Sequence, residues 1–132
     1  MMQVRLGYAA DARGAGIAYA RLQARAGERL VRVAFRAQRY PGLDGREIGY
    51  AALTAVATML RERGVDRAMF SLADAELVAD HAERRDVPPP LVLPYVRLGC
   101  ALNRFASHEL QVGGELDLEA RARAELAFTT AA

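Results

Sequence analysis

The chain has 132 residues, 52% of them hydrophobic and 26% charged, which excludes a disordered or fibrous protein and is long enough for one hydrophobic core. The net charge is only +2, and all 18 basic residues are arginine, which falls short of the strongly basic footprint of a dedicated nucleic-acid binder. No apolar run approaches the ~20 residues of a membrane span, and the N-terminus has no signal region. We therefore expect a single cytoplasmic domain over residues 1–132, without membrane contacts.

The first third of the chain alternates apolar and polar residues in three runs. These runs, 4–9, 17–24 and 30–37, are separated by turns that contain glycine. Alternation with short turns predicts three β-strands joined as an antiparallel meander. A loop rich in Pro, Gly and Asp follows at residues 40–45.

The next stretch, 46–71, has the clearest pattern in the chain. Apolar residues recur at a spacing of three to four, which predicts a helix that ends at Gly64 and lies across the sheet. A strand is predicted directly afterwards, at 65–72. The apolar stripe of the helix consists of Ile48, Ala52, Ala55, Val56, Met59 and Leu60.

The second half predicts two helices, a strand and a last helix. The helices are 74–85, with Asp74 at its start, and 91–105, followed by a strand at 108–112 and a helix at 117–128. Cys100, the only cysteine, is expected to be buried and inert in its apolar helix. The order βββ-α-β-α-α-β-α predicts an α/β domain with a mixed five-stranded sheet flanked by helices.

Four segments together resemble the ribonuclease H-like superfamily, of the ribonuclease HI and reverse-transcriptase type. LGYAADARGAGIAYARL is similar to the family's opening strand and Gly-flanked second strand, and GYAALTAVATMLRERGV resembles its Glu-Tyr-x-Ala-Leu helix. LADAELVAD resembles the Asp-Ser-x-Leu-Val motif, and VGGELDLEARARAELA the closing helix. The resemblance covers nearly the whole chain and implies a ribonuclease H-like fold.

The resemblance also implies four carboxylates that hold two metal ions about 3.5–4 Å apart. Carried over position by position, the family's acids fall on Ala9, Gly49, Asp74 and Arg121, so only Asp74 is retained. Arg121 would then stand where a carboxylate is expected, and an ion pair between Arg121 and Asp74 is one hypothesis. No catalytic residue is therefore assigned with the resemblance, and no cofactor is expected.

Three nearby acids are candidates for rebuilding the cluster. They are Asp11 in the first turn, Glu47 at the start of the first helix and Asp117 at the start of the last. Glu47 is expected to face away from position 49 and to serve the helix N-terminus, because two helical positions differ by about 200°. Asp117 is expected to cap its helix.

Three functions remain open. The favoured hypothesis is a non-catalytic domain that binds nucleic acid, as an RNA–DNA hybrid or duplex, or a protein. The second is an active hybrid-cleaving ribonuclease H with a rearranged acid cluster and Mg²⁺. The third is an interaction module, such as a homodimer, formed through helix 91–105 with Tyr95, Leu98 and Phe105 partly covered. In the first hypothesis, five arginines would line the substrate face: Arg13, Arg46, Arg84, Arg85 and Arg121.

Overall fold

The computed structural model describes residues 1–131, with side chains up to residue 129, so that Ala132 of the expected domain lies outside the described residues. It has the predicted order of strands and helices. The elements are β1 (Met2–Ala10), β2 (Ala15–Ala24), β3 (Gly27–Arg36), α1 (Arg46–Glu62), β4 (Arg67–Leu72), α2 (Ala75–Ala82), α3 (Val92–Leu102), β5 (Ser107–Val112) and α4 (Leu116–Ala131). A short 3₁₀ turn, Pro89–Leu91, precedes α3.

The five strands form one mixed sheet in the order β3-β2-β1-β4-β5. The first three strands pair antiparallel, as the meander prediction requires, whereas β4 and β5 run parallel to β1. A parallel pair needs a crossover connection, and α1 supplies it between β3 and β4. The carboxyl ends of β1 and β4 therefore meet at the same end of the sheet, where open α/β sheets commonly bind their ligands.

The helix α1 covers one face of the sheet, but its buried stripe differs from the predicted one. Tyr50, Leu53 and Ala57 are fully buried beside Val56 and Leu60. Three residues of the predicted stripe, namely Ile48, Ala55 and Met59, are only partly buried. The sequence is apolar around most of this helix, so periodicity alone could not fix which side faces the sheet.

The helix α3 packs beside α1 and corrects two expectations. Leu98 and Phe105, which were candidates for a partly covered interaction surface, are buried in the core. The apolar residues that α3 exposes are instead Val92, Leu93 and Val96. Cys100 is exposed rather than buried, because it lies on the outer side of α3, away from Leu98 and Leu102.

The helix α4 covers the opposite face of the sheet through Leu118 and Ala122. Its backbone approaches β1 very closely at Gly7, where a β-carbon would lie 2.3 Å from the Glu119 nitrogen. Asp117 lies inside the first turn of α4, with Glu115 before it, so it does not cap the helix as expected. Within residues 1–131, no helix has the length and apolar character to cross a membrane.

Candidate functional site

The carboxyl ends of β1 and β4 open into a cleft of about 1010 Å³. Its walls come from the ends of these strands and from the starts of α1, α2 and α4. Acidic side chains outnumber arginines in the lining, and three of these acids are paired with arginines, namely Glu76, Glu115 and Glu119. The lining acids are Asp11, Asp44, Asp74, Glu76, Glu115 and Glu119, and the arginines are Arg46 and Arg123.

Tyr8 is the side chain that β1 directs towards α1 at the cleft. Alternate residues of a strand face opposite sides of the sheet, and Tyr8 packs against the α1 core, whereas Ala9 packs against the cluster below α4. A β-carbon built at Gly49 would lie 2.7 Å from Tyr8 Oη and 3.4 Å from Asp74 Oδ2. Tyr8 is thus the β1 side chain that reaches Gly49 and Asp74, while the placement of the first family acid at Ala9 stays a prediction.

The environment of Tyr8 keeps its hydroxyl protonated. Burial is the largest influence that raises the pKa of this phenol, and the carboxylates of Asp74 and Glu119 raise it further. Ionising Tyr8 would place a third negative charge beside two others in a poorly solvated space. Tyr8 is thus available as a hydrogen-bond donor, and no hydrogen bond from its hydroxyl to another described residue is formed.

Asp74 follows β4 by two residues and begins α2. Its Oδ1 accepts a hydrogen bond from the backbone nitrogen of Leu77 at 3.1 Å, which confirms its expected position at the start of this helix. An N-cap bond of this kind satisfies one of the free N–H groups of the first turn. One oxygen of this retained acid is therefore engaged in holding α2.

The acid that α4 contributes to the cleft is Glu119, not a residue at position 121. Glu119 lines the cleft and acts electrostatically on Tyr8. Arg121 lies on the other side of the helix, with its guanidinium carbon 4.7 Å from the centre of the Tyr19 ring. The hypothetical ion pair between Arg121 and Asp74 is not formed among the described residues, and the placement of the fourth family acid at Arg121 stays a prediction.

The three acids proposed as replacements have other roles. Asp11 lines the cleft, but its Oδ1 accepts hydrogen bonds from the nitrogens of Arg13 at 2.9 Å and Ala15 at 3.1 Å, which hold the first turn. Glu47 is buried on the opposite side of α1, where it bonds the loop after β3 rather than the helix N-terminus. Asp117 is exposed and lies 3.5 Å from Arg21.

The residues present do not fit a two-magnesium site. Among residues 1–131, no group of three or more His, Cys, Asp or Glu side chains converges to hold a metal ion. The cleft brings together Asp74 and Glu119 with a phenol that stays protonated, and Mg²⁺ favours several carboxylate oxygens and water.

The five arginines expected on the substrate face divide into two groups. Arg46 and Arg85 both bind the buried carboxylate of Asp80, at 3.1 and 2.9 Å. Tyr50 donates a further hydrogen bond to Asp80 at 2.8 Å. Arg46 and Tyr50 therefore join α1 to α2, whereas Arg85 binds back onto α2 from the turn that follows it.

The other members of the set are Arg13, Arg84 and Arg121. All of them are exposed, and none of the carboxylates described here lies within ion-pair distance of them. Arg121 is nevertheless occupied by its contact with the Tyr19 ring. Only Arg13 and Arg84 are therefore available to phosphate among the five.

Two residues of the cleft, Tyr8 and Glu119, were missed in the sequence. The alternation Val4, Leu6, Tyr8 already indicated that Tyr8 faces the same side as the core residues of β1. For Glu119, the signal was its place directly after Leu118 in the first turn of α4. The motif alignment placed the expected acids at Ala9 and Arg121 instead, and that placement stays a prediction.

Comparison with known proteins supports the fold and gives no closer relationship. No family model matches the chain, and no curated protein matches it. Among solved structures, the RNase H1 of Halobacterium salinarum NRC-1 is 17% identical with a TM-score of 0.69, covering 93% of this chain and 92% of that one.

Two further structures are similar at the same level. The N-terminal RNase H domain of rv2228c from Mycobacterium tuberculosis is 16% identical with a TM-score of 0.69, covering 99% of this chain and 98% of that one. LC11-RNase H1, solved in complex with an RNA/DNA hybrid, is 11% identical with a TM-score of 0.65, covering 94% and 92%. At these identities the comparison carries the architecture alone, and it shows that this chain has a ribonuclease H-like fold.

Proposed function

We propose that this chain is a ribonuclease H-like domain that has lost two-metal nuclease activity and serves as a binding module. One observation carries this proposal: the hydroxyl of Tyr8 occupies the space into which a side chain at position 49 would extend. A carboxylate at either position would face Asp74, but the chain has a phenol at one and glycine at the other. On this proposal, two of the four carboxylates that the family resemblance implies are missing.

The charges around the cleft support the same proposal. Six acids and two arginines line it, and without bound cations such a surface disfavours a polyanion. One of these arginines, Arg46, is already bound to Asp80, and the other, Arg123, is paired with Glu119. The cleft therefore offers a nucleic-acid backbone little positive charge.

Nucleic-acid binding outside the cleft is a second candidate. It is favoured by several exposed arginines that have no carboxylate partner among the residues described, including Arg25, Arg29, Arg63, Arg67 and Arg104. A protein of similar fold has been solved with an RNA/DNA hybrid, which makes a hybrid the natural first probe for this chain.

A cleavage assay tests the loss of nuclease activity. A labelled RNA–DNA hybrid is incubated with the chain and Mg²⁺ or Mn²⁺, with an active ribonuclease H as positive control. We expect no metal-dependent product. Cleavage that disappears in both Asp74→Asn and Glu119→Gln would overturn the proposal and establish a rearranged active site.

Binding is measured separately from cleavage. Fluorescence anisotropy of the hybrid, of DNA duplex and of single strands is recorded at ~50 and ~200 mM salt. Affinity that depends on phosphate contacts falls steeply over this range. Saturable, salt-sensitive binding supports the second candidate. Absence of binding at low salt leaves a module for partners other than nucleic acid.

A further inference from the structure

A second cavity, of about 310 Å³, lies on the other side of α1 from the cleft. It is enclosed by the end of β3 and the loop after it, by α1, and by the start of α3. Its volume is at the lower end of the ~300–1,000 Å³ that small-molecule sites span. The walls are mainly apolar or aromatic: Phe35, Ala37, Tyr40, Tyr50, Ala51, Ala55, Pro90, Leu93 and Pro94.

Glu47 gives this cavity a buried polar group that lacks a partner. The residue is 2% exposed, and its Oε2 accepts hydrogen bonds from Arg39 Nε at 3.2 Å and from the Tyr40 nitrogen at 2.9 Å. Its Oε1 is buried and accepts no hydrogen bond from any residue that the structure describes. A buried carboxylate oxygen without a donor is costly, so a donor is expected to reach it.

Two arginines give the same cavity a positive character. Arg36 and Arg97 contribute to its lining and are exposed, and neither has a carboxylate within ion-pair distance in the described part of the chain. Glu47 is the only acid of the lining, and Arg39 already balances its charge. An anionic group is therefore attracted to this cavity, in contrast to the acidic cleft.

We propose that this cavity binds a small aromatic anion that carries an N–H donor. The apolar walls take the ring, Glu47 Oε1 accepts the N–H, and Arg36 and Arg97 bind the anionic group. Indole carboxylates and purine nucleotides share this chemistry, and the experiment separates them. The inference does not rest on the proposed function, because it uses neither the cleft nor any nuclease chemistry.

Four probes test the three elements of the proposal. Indole-3-acetate has the ring, the N–H and the anion, whereas 1-naphthaleneacetate lacks the N–H and 3-methylindole lacks the anion. Guanosine monophosphate tests the nucleotide source. Binding is followed by calorimetry and by shifts of backbone amide signals in NMR spectra of the ¹⁵N-labelled chain.

We expect indole-3-acetate or guanosine monophosphate to bind saturably, with shifts concentrated at Ala51, Thr54 and Leu93. 1-Naphthaleneacetate and 3-methylindole are expected to bind about tenfold more weakly than indole-3-acetate, because each leaves one charged or polar partner of the site unsatisfied. If indole-3-acetate binds more tightly, the ligand is an indole carboxylate, and if guanosine monophosphate binds more tightly, it is a purine nucleotide.

Three variants locate the site on the chain. Arg97→Gln is expected to weaken binding about fivefold through the loss of one charge contact, and Arg63→Gln, an exposed arginine elsewhere, serves as its matched control. Ala51→Leu is expected to abolish binding by filling the cavity. If Ala51→Leu does not fold, the comparison of Arg97→Gln with Arg63→Gln still decides the question.

Two results would overturn the proposal. One is no saturable binding of either complete probe at millimolar concentration, which would mean that water alone satisfies Glu47. The other is binding that Arg63→Gln weakens as much as Arg97→Gln does, which would show attraction to arginines in general rather than a site. Either result leaves the cleavage assay of the cleft unaffected.

Discussion

At the residue scale, the position of the Tyr8 hydroxyl requires a residue without a side chain at Gly49. The Tyr8 hydroxyl fills the space beside Gly49, and a β-carbon there would lie 2.7 Å from it. Gly49→Ala should stabilise the chain by about 1 kcal/mol through the higher helix propensity of alanine, but its β-carbon would clash with the Tyr8 hydroxyl. Tyr8→Phe removes this oxygen and leaves Leu77 Cδ1, at 3.1 Å, as the nearest atom to that β-carbon.

We therefore expect the two substitutions to couple. Gly49→Ala should be more favourable in the Tyr8→Phe background than in the original chain, by about 1–2 kcal/mol in the free energy of unfolding. Urea denaturation of both single variants and the double variant, followed by circular dichroism, gives the coupling energy. Additive effects would mean that Tyr8 moves freely away from position 49, which would remove the main support for a lost metal site.

The raised pKa of Tyr8 predicts a sensitivity to alkaline pH. In the unfolded chain the phenol ionises near its ordinary pKa of 10.0, whereas in the folded chain burial, Asp74 and Glu119 raise the pKa. The folded state then holds the Tyr8 proton more tightly than the unfolded state does. The contribution of this proton to the free energy of unfolding is therefore complete below pH 10 and is lost as the pH rises above that value.

Tyr8→Phe should accordingly change stability little at pH 7 and reduce the loss of stability between about pH 9 and 11. Tyr50→Phe is the contrasting variant, because the Tyr50 hydroxyl donates to Asp80 at 2.8 Å. That variant should already cost about 1–2 kcal/mol at pH 7. Unfolding by urea at several pH values provides both comparisons, and an unchanged alkaline slope in Tyr8→Phe would contradict the assigned environment.

At the scale of elements, Gly7 sets the position of α4. A β-carbon at Gly7 would lie 2.3 Å from the Glu119 nitrogen and 2.6 Å from the Leu118 carbonyl carbon, and backbone atoms cannot rotate away as a side chain can. Gly7→Ala should destabilise the chain by about 1–3 kcal/mol or displace α4.

Gly99 is a matched control for Gly7. It lies within α3, and nothing is found within 4 Å of a β-carbon built there. Gly99→Ala should be neutral or stabilise by up to about 1 kcal/mol, because alanine loses less backbone freedom on folding. Denaturation midpoints of the two variants test this contrast, and equal effects would show that α4 does not rest on Gly7.

The contact between α1 and α2 depends on one buried carboxylate. Asp80 is 1% exposed. Its carboxylate accepts a hydrogen bond from the Tyr50 hydroxyl at 2.8 Å and forms ion pairs with Arg46 at 3.1 Å and Arg85 at 2.9 Å. Asp80→Ala should cost about 3–5 kcal/mol, because it leaves the buried Tyr50 hydroxyl without an acceptor and leaves both arginines with only exposed carboxylates, mainly that of Glu76. Glu83→Ala removes only an exposed partner of Arg85 at 3.6 Å and should have an effect within about 0.5 kcal/mol. Urea denaturation compares the two, and similar losses would refute the importance of Asp80.

The order of elements was predictable from the sequence, whereas the faces they present were not. Alternation and glycine turns are local signals, and they gave the meander and the helices within a few residues. The buried stripe of α1 depends on Tyr50, Leu53 and Ala57 meeting the sheet, which is a tertiary property of a helix that is apolar almost all round. The side chains that meet in the cleft were hard to predict for a related reason, because neighbouring strand residues such as Tyr8 and Ala9 face opposite sides of the sheet.

At the scale of the whole molecule, the charges are separated along the sheet. The cleft at the carboxyl ends of β1 and β4 is lined mostly by acids. At the opposite end, the Ala106 nitrogen donates to the Asp66 carbonyl at 2.9 Å and so joins the starts of β4 and β5. Around this junction Arg63, Arg67 and Arg104 are exposed, and no salt bridge engages them within the described residues.

We therefore expect any RNA–DNA hybrid to contact this arginine end rather than the cleft. Replacing Arg63, Arg67 and Arg104 with Gln should weaken hybrid binding and lower the slope of log affinity against log salt by about 2–3, since each lost phosphate contact releases about 0.9 fewer counterions. Arg13→Gln with Arg84→Gln, two unpaired arginines from the original set of five, is the comparison, and it should change the slope little. A larger effect of this second pair would place the nucleic acid at the end of the sheet that holds the cleft. That outcome would require the acids of the cleft to be neutralised by bound cations, and it would bring the metal-dependent alternative back into consideration.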